Sequence, residues 1–313
     1  MEVQQLKDNN TLSKSIVTFG NFDGIHLGHN YMIQKLSKLS SENDIPSVLI
    51  TFDPHTNVIL NKISKNNFKI LTTFKQKCDI LNSYRIDYLC KISFDKQFSK
   101  IRAQDFMDLI IKKYNPKIIL IGYDNYFGNK REGSYKFIKE NNSFKDIELI
   151  KINQYKYNNN SIKSSIIKDM IQNGSIDKGN LYLGRKYSIN GYVIKGDGLS
   201  KETGFKTANI KLTNNKQLIP GNGVYSVNLK LEQKTYVSIC NIGICPTIKN
   251  SRNKSIEVHV IDKDVNIYDK EVNLEFISYI RSEKKFENAS KLNEQILNDI
   301  NHVKNERMIN SGW

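Results

Sequence analysis

The chain has 313 residues, 39% of them hydrophobic and 10% aromatic, enough to bury the cores of two domains. No apolar run approaches the roughly 18 residues that cross a bilayer, and the opening MEVQQLKDNN lacks the apolar centre of a signal peptide, so a soluble cytoplasmic protein with no membrane partner is expected. The net charge of +15 invites nucleic acid, but only seven of the 47 basic residues are arginine, the lysines are scattered, and no nucleic-acid partner is expected.

The first half alternates. Apolar runs SIVTFG, SVLITF, YLCKISF, KIILIGY and IELIKI read as strands, with helix-period segments at Asn30–Ser41, Phe74–Tyr84 and Ala103–Tyr114 between them. Strands alternating with helices predict an α/β domain built on a parallel sheet. A polar loop, YKYNNNSIKSS, leads to a helix over Ser165–Asn173 that stops at Gly174, and to a second over Ile176–Leu183 that stops at Gly184.

Beyond Tyr187 the period changes to two. SINGYVIKG, TANIKL, GVYSVNLKL, KTYVSICNIG, SIEVHVID and EVNLEFISYI are short β-type runs parted by Gly, Asn or Pro, which predicts a small antiparallel barrel. A last helix near Phe286–Val303 carries Leu292, Ile296 and Ile300 on one face. The boundary is expected near Leu183–Tyr187, giving domains 1–184 and 185–313. The four cysteines show no C-x-x-C spacing and read as reduced thiols.

The densest signal is SIVTFGNFDGIHLGH. A strand that ends in a Gly-rich turn before a helix offers unpaired N–H groups and the positive end of a helix dipole to phosphate. His26 and His29, in the first turn, can donate to phosphoryl oxygens that gain charge during transfer. Zinc on the H-x-x-H pair is the alternative, but no third ligand is adjacent; two structural rings are the other.

The segment FGNFDGIHLGH resembles the H-x-G-H signature of nucleotidylyltransferases, and its long form is similar to that of the bifunctional riboflavin kinase/FAD synthetases of bacteria. TFDPHT, IGYDNYFGNKREG, SIKSSIIKDM, LYLGRKY, GYVIKGDG, TGFKTANI, GVYSVNL, NIGICPTI and IEVHVID resemble further motifs of that family, in order, from Ile16 to Ile300. The resemblance implies a Rossmann-type nucleotidylyltransferase domain followed by a Greek-key riboflavin kinase barrel. ATP and Mg²⁺ would serve both steps, with riboflavin and FMN as the flavin substrates. It implies His26 and His29 at the α-phosphoryl centre, with Gly20, Phe22, Asp23 and Gly24 cradling the nucleotide. Ser164, Ser165 and Lys168 would form a second phosphate-contacting group, and Asp124 and Arg131 the flavin side. Asp23 also reads as a plain turn or cap residue. In the barrel it implies Glu257 as general base, Thr207 and Asn209 as oxygen ligands for Mg²⁺, and Gly196, Gly198 and Gly204 in a loop over the nucleotide. Glu257 could equally be an outward-facing strand residue; His259 reads as structural. The rival readings are a chain retaining one of the two activities and an RNA-binding barrel.

Four positions leave the family pattern: Lys163 for Ser, Lys168 for Arg, Lys206 for Pro and Cys245 for Arg. A lysine places one compact charge where an arginine would grip two phosphate oxygens. Lys168→Arg is therefore expected to raise kcat for adenylyl transfer more than it lowers KM, which steady-state kinetics with ATP and FMN would resolve.

Overall fold

In the computed structural model, residues 1–60, 68–194, 205–244, 254–263, 265 and 267–310 are described. They fall into two compact units, Met1–Ser164 and Ser165–Trp313. No described helix is long and apolar enough to cross a membrane.

The first unit is built on six parallel strands: β1 (Glu2–Gln5), β2 (Ser15–Gly20), β3 (Ser47–Asp53), β4 (Tyr88–Ser93), β5 (Pro116–Gly122) and β6 (Glu148–Ile152). Their order in the sheet is β1-β4-β3-β2-β5-β6. All five expected strands are present. The sixth, β1, was not expected, because EVQQ is short and polar; it pairs with β4 from Glu2↔Tyr88 to Gln5↔Lys91. Successive side chains alternate faces, so β2 feeds two cores. Val17 and Phe19 join Phe106, Met107 and Ile110 on one side, while Ile16 meets Ile33, Leu36 and Leu81 on the other.

Helices α1 (Leu27–Asn43), α3 (Phe74–Leu81) and α4 (Ala103–Tyr114) supply those faces; a single turn, α2 (Thr56–Ile59), and a short α5 (Tyr135–Glu140) complete the helical set. Ile33 and Leu36 are fully buried, and each contributes about 1.5–3 kcal/mol relative to exposure. The first helix begins three residues earlier than its apolar period indicates. His26 caps it through its ring, a signal hydrophobic periodicity does not carry. The polar loop holds a two-stranded ribbon, β7 (Lys156–Tyr157) and β8 (Asn160–Ser161).

The second unit begins with α6 (Ser164–Gln172, whose first residue closes the first unit) and α7 (Ile176–Leu183), followed by the strands β9 (Tyr187–Ile194), β10 (Ala208–Leu212), β11 (Gly223–Leu231), β12 (Lys234–Ile244), β13 (Lys254–Val260) and β14 (Glu271–Arg281). The two helices group with the barrel, whereas the sequence boundary near residue 184 assigns them to the α/β half. The reason is local. Asn180 Nδ2 donates to Phe276 O at 2.9 Å and its Oδ1 accepts from Tyr187 N at 2.6 Å, while the Gly221 N–H donates to Ile171 O at 3.1 Å. Gly174 and Gly184 both take positive φ, 77° and 70°, at the expected helix ends.

The strands close in the order β10-β13-β12-β11-β14-β9. Because β14 returns beside β11 after the β11-β12-β13 meander, the connection is a Greek key. The last helix, α8 (Ala289–Asn310), begins and ends later than its apolar stripe predicts. It packs Ile300 and Val303 on Ile239 and Ile261. Arg281 of β14 grips Asp299 of that helix with two nitrogens at 2.8–2.9 Å, and the Asp299 side chain is only 3% exposed. Asp299→Ala would take the carboxylate away from a largely enclosed guanidinium, 16% exposed. We expect urea unfolding of the barrel to lose about 3–5 kcal/mol, the usual cost of breaking a buried pair.

Candidate functional site

Between Gly20 and Leu27 the chain makes a turn that few residue types tolerate. Phe22 (φ 46°), Gly24 (φ 90°) and Ile25 (φ 37°) all take positive φ. For a β-branched residue this is costly, and such strain persists only where the surroundings over-determine it. The surroundings here do. Phe22 and Ile25 are buried in the core under α1. Asp23, 2% exposed, turns its carboxylate inward, where Oδ1 accepts from Leu71 N at 2.8 Å and Thr72 N at 3.3 Å. The Gly24 N–H donates to Thr72 Oγ1 at 2.9 Å, and the Ser164 hydroxyl donates to Asp23 O at 2.8 Å.

The turn delivers two imidazoles to the mouth of α1. His26 Nδ1 accepts from the His29 N–H at 3.4 Å, so in the neutral ring Nε2 carries the proton. The rings stack at 3.7 Å with 14° between planes. A Cβ on Gly28 would come within 3.3 Å of the His26 ring, which explains a residue without one between the pair. Phe22 meets His29 edge-on at 5.3 Å. Both histidines are thereby held at a helix N-terminus, where anions bind.

Asn21, which the sequence reading passed over, organises the other side. Its amide donates to Thr56 Oγ1 at 2.9 Å and its Oδ1 accepts from Thr56 N at 3.2 Å, tying the turn to α2. Its carbonyl accepts from Lys77 Nζ at 2.6 Å and Thr51 Oγ1 at 3.2 Å.

On that side lies a pocket of about 290 Å³, walled by Phe19, Phe52, Phe94, Phe106, Tyr126 and Phe127. Asn21, Thr56, Asn125 and Arg131 add polar groups to it. Asn125 Nδ2 donates to Phe19 O at 2.7 Å, and the Arg131 guanidinium lies 4.5 Å from the Tyr126 ring centre. The pocket sits outside the carboxyl ends of β2 and β5, where the strand order reverses, the usual crevice for a ligand in an open α/β sheet. A flat aromatic ligand suits such walls. Of the two residues expected there, Arg131 lines the pocket. Asp124 is one residue from the lining Asn125 and turns elsewhere; with burial as the larger cause, its carboxylate raises the pKa of the Tyr123 phenol.

Ser165 and Lys168 lie on α6 in the second unit, Ser165 exposed and Lys168 half-buried. In the barrel, Glu257 of β13 stands opposite Asn209 of β10 on one side and Asn241 of β12 on the other. Directly opposed residues share a face, so a carboxylate is framed by two carboxamides on three neighbouring strands. Thr207 precedes β10 and is half-buried. His259 Nδ1 lies 2.9 Å from Lys206 O, and its ring meets Phe205 edge-on. Behind this face, burial and then the Glu257 charge push the Cys240 thiol pKa up. Gly196, Gly198, Gly204 and Cys245 lie outside the described residues. Among the described residues no group of three His, Cys, Asp or Glu side chains could hold a metal ion. Thr207, Asn209 and Glu257 are oxygen donors of the kind a hard divalent cation takes.

Comparison with known proteins agrees with two functional halves. Residues 8–166 match the family model described as FAD synthetase, and residues 183–306 match the model described as riboflavin kinase. The chain is 38% identical over 296 residues to the bifunctional riboflavin kinase/FMN adenylyltransferase of Buchnera aphidicola subsp. Schizaphis graminum, covering 93% of this chain and 94% of that one. It is 31% identical to the Bacillus subtilis protein of the same description, over 92% of this chain and 90% of that one. A solved Streptococcus pneumoniae structure, titled as a macrolide-efflux protein, superposes with a TM-score of 0.88 at 26% identity, covering 97% of this chain and 99% of that one.

The aromatic wall has little slack. A Cβ on Gly133 would stand 2.5 Å from the Phe127 ring, which itself packs edge-on against Phe19 at 5.2 Å. Gly133→Ala is expected to displace that ring and destabilise the first unit by about 1–3 kcal/mol, readable in a urea melt.

Proposed function

Because the chain belongs to the bifunctional riboflavin kinase/FMN adenylyltransferase family, we propose that it converts riboflavin to FMN and FMN to FAD, each at the expense of one ATP. The observation that carries the first unit's part is the pairing, on either side of Gly20 and Asn21, of an anion-ready helix mouth with an aromatic pocket. The flavin ring lies between the phenylalanines, and its phosphate points toward the histidines. An FMN phosphate oxygen attacks the α-phosphorus of ATP as the bond to the pyrophosphate oxygen breaks. No proton has to be removed from the nucleophile, so the enzyme's task is alignment and charge neutralisation. His26 and His29 donate to the phosphoryl oxygens that gain charge, with the N–H groups opening α1 behind them. Gly20, Phe22 and Gly24 shape the backbone against the nucleotide. Asp23 and Ser164 serve it indirectly, since their side chains hold the turn.

The barrel carries the kinase step. The terminal ribityl hydroxyl of riboflavin attacks the γ-phosphorus of ATP, Glu257 accepts its proton, and ADP departs. Asn209 and Asn241 flank Glu257 and orient it. A bound Mg²⁺, held by Thr207 and Asn209, would neutralise charge on the phosphoryl oxygens.

The test is direct. Purified protein is incubated with riboflavin, ATP and Mg²⁺, and riboflavin, FMN and FAD are separated chromatographically. FMN and FAD are expected; absence of both products would overturn the reading. His29→Ala should abolish FAD formation from added FMN while riboflavin phosphorylation stays near normal. Glu257→Gln should do the reverse, losing about 10²–10⁴-fold in kinase rate as general bases do. A folded mutant that lost both activities would refute separate sites.

A further inference from the structure

Neither proposed reaction gives a role to Lys77, although it is the most deeply buried ammonium near the turn. Lysine almost never lies fully buried unless paired. This one is 5% exposed, on α3 beneath the carboxyl ends of β2 and β3. Its Nζ donates to Asn21 O at 2.6 Å and to Thr51 Oγ1 at 3.3 Å. Thr51 donates to the same carbonyl at 3.2 Å. Two donors thus converge on one backbone oxygen, in the residue whose side chain ties down Thr56 and whose position separates the histidine mouth from the aromatic pocket.

We infer that Lys77 is a positioning residue for adenylyl transfer, its buried ammonium fixing the Asn21 carbonyl so that the strained turn presents the histidines and the aromatic pocket to the two substrates in register. The inference rests on the proposed FMN adenylyltransferase reading. A charge-assisted bond is roughly twice as strong as a neutral one, which suits a strained backbone that nothing local favours. Alignment is the quantity at stake, because misplacement by about 1 Å can cost about 10²-fold in rate.

The charge also has a pH signature. Burial pushes the Lys77 pKa below the usual lysine value, against the opposing pull of Asp23 in the turn and Asp53 on β3. Cys78 on its own helix is the other titratable neighbour, with its pKa pushed up by burial, and Lys91 on β4 lies 3.9 Å from Asp53. A group with a depressed pKa is charged below that pKa and loses its charge as pH rises through it. The grip on Asn21 therefore weakens on the alkaline side, and adenylyl transfer should decline there.

Lys77→Met and Lys77→Gln, made in the full chain, test this. FAD formation from FMN and ATP is measured from pH 7 to 10, beside riboflavin phosphorylation by the same preparations. We expect kcat for FAD formation to fall about tenfold or more, KM for FMN and ATP to stay within about threefold, kinase activity to be retained, and the alkaline decline to vanish. Unchanged kcat, a rise in KM alone, or an alkaline decline that survives the substitution would overturn the inference. If Lys77→Met does not melt cooperatively, Lys77→Gln, which keeps a donor without the charge, is judged by the same outcomes. Wild-type protein that makes no FAD from FMN would instead refute the reading on which the inference stands.

Discussion

A chain that leaves β2 at Gly20 and enters α1 at Leu27 has six residues in which to turn, and three of them occupy the left-handed region. That conformation has no local advantage for Phe22 or Ile25, so it must be imposed from outside. Three kinds of force impose it: apolar burial of Phe22 and Ile25, hydrogen bonds from segment 71–72 to Asp23, and the donors beneath Asn21. The stacked histidines, the opening turn of α1 and the rim of the aromatic pocket all take their positions from this turn. The sheet supplies the platform, and the switch in strand order between β2 and β5 supplies the space.

The barrel solves a different problem. In a closed sheet, the alternation of side chains along each strand and the register between strands decide which polar groups meet on its outer face. On β13 the inward residues Ile256, Val258 and Val260 are buried, leaving Glu257 and His259 on the opposite face. Register then decides what Glu257 meets, and it meets an asparagine on each side. One residue of slip would put valine there and the carboxylate inside.

Much of this was legible in the residues. The five apolar strands, the helices over 103–114 and 176–183, and the barrel all follow from period and punctuation, because burial on one face leaves a direct trace in composition. The illegible parts depend on partners distant in sequence. Nothing local marks Lys77, in the run FKQKCDIL, as different from the surface lysines around it; only the fold brings it under Asn21, 56 residues away. Asn125 and Asn241 are likewise ordinary polar residues until the sheet orders are known. Asp23 was legible as important yet ambiguous in role, and the buried carboxylate shows its side chain bound to backbone N–H groups. The edge strand β1 was missed because a strand that covers only one neighbour needs little apolar character.

That edge strand has a consequence for what the open sheet presents at its rim. Among the described residues the barrel strands close on one another, whereas the open sheet has two edges. Without β1, one of them would be β4, whose Leu89, Cys90 and Ile92 are almost wholly buried and whose backbone would offer a ready template for a strand from another molecule. Four residues, EVQQ, take that place instead. They are short and polar, and the segment that follows is anchored by Lys113, whose ammonium donates to Gln5 O and Asp8 O at 2.7 Å each. Glu2–Gln5 thus gives this side of the sheet a brief, hydrophilic rim, one of the devices by which natural sheets blunt an open edge.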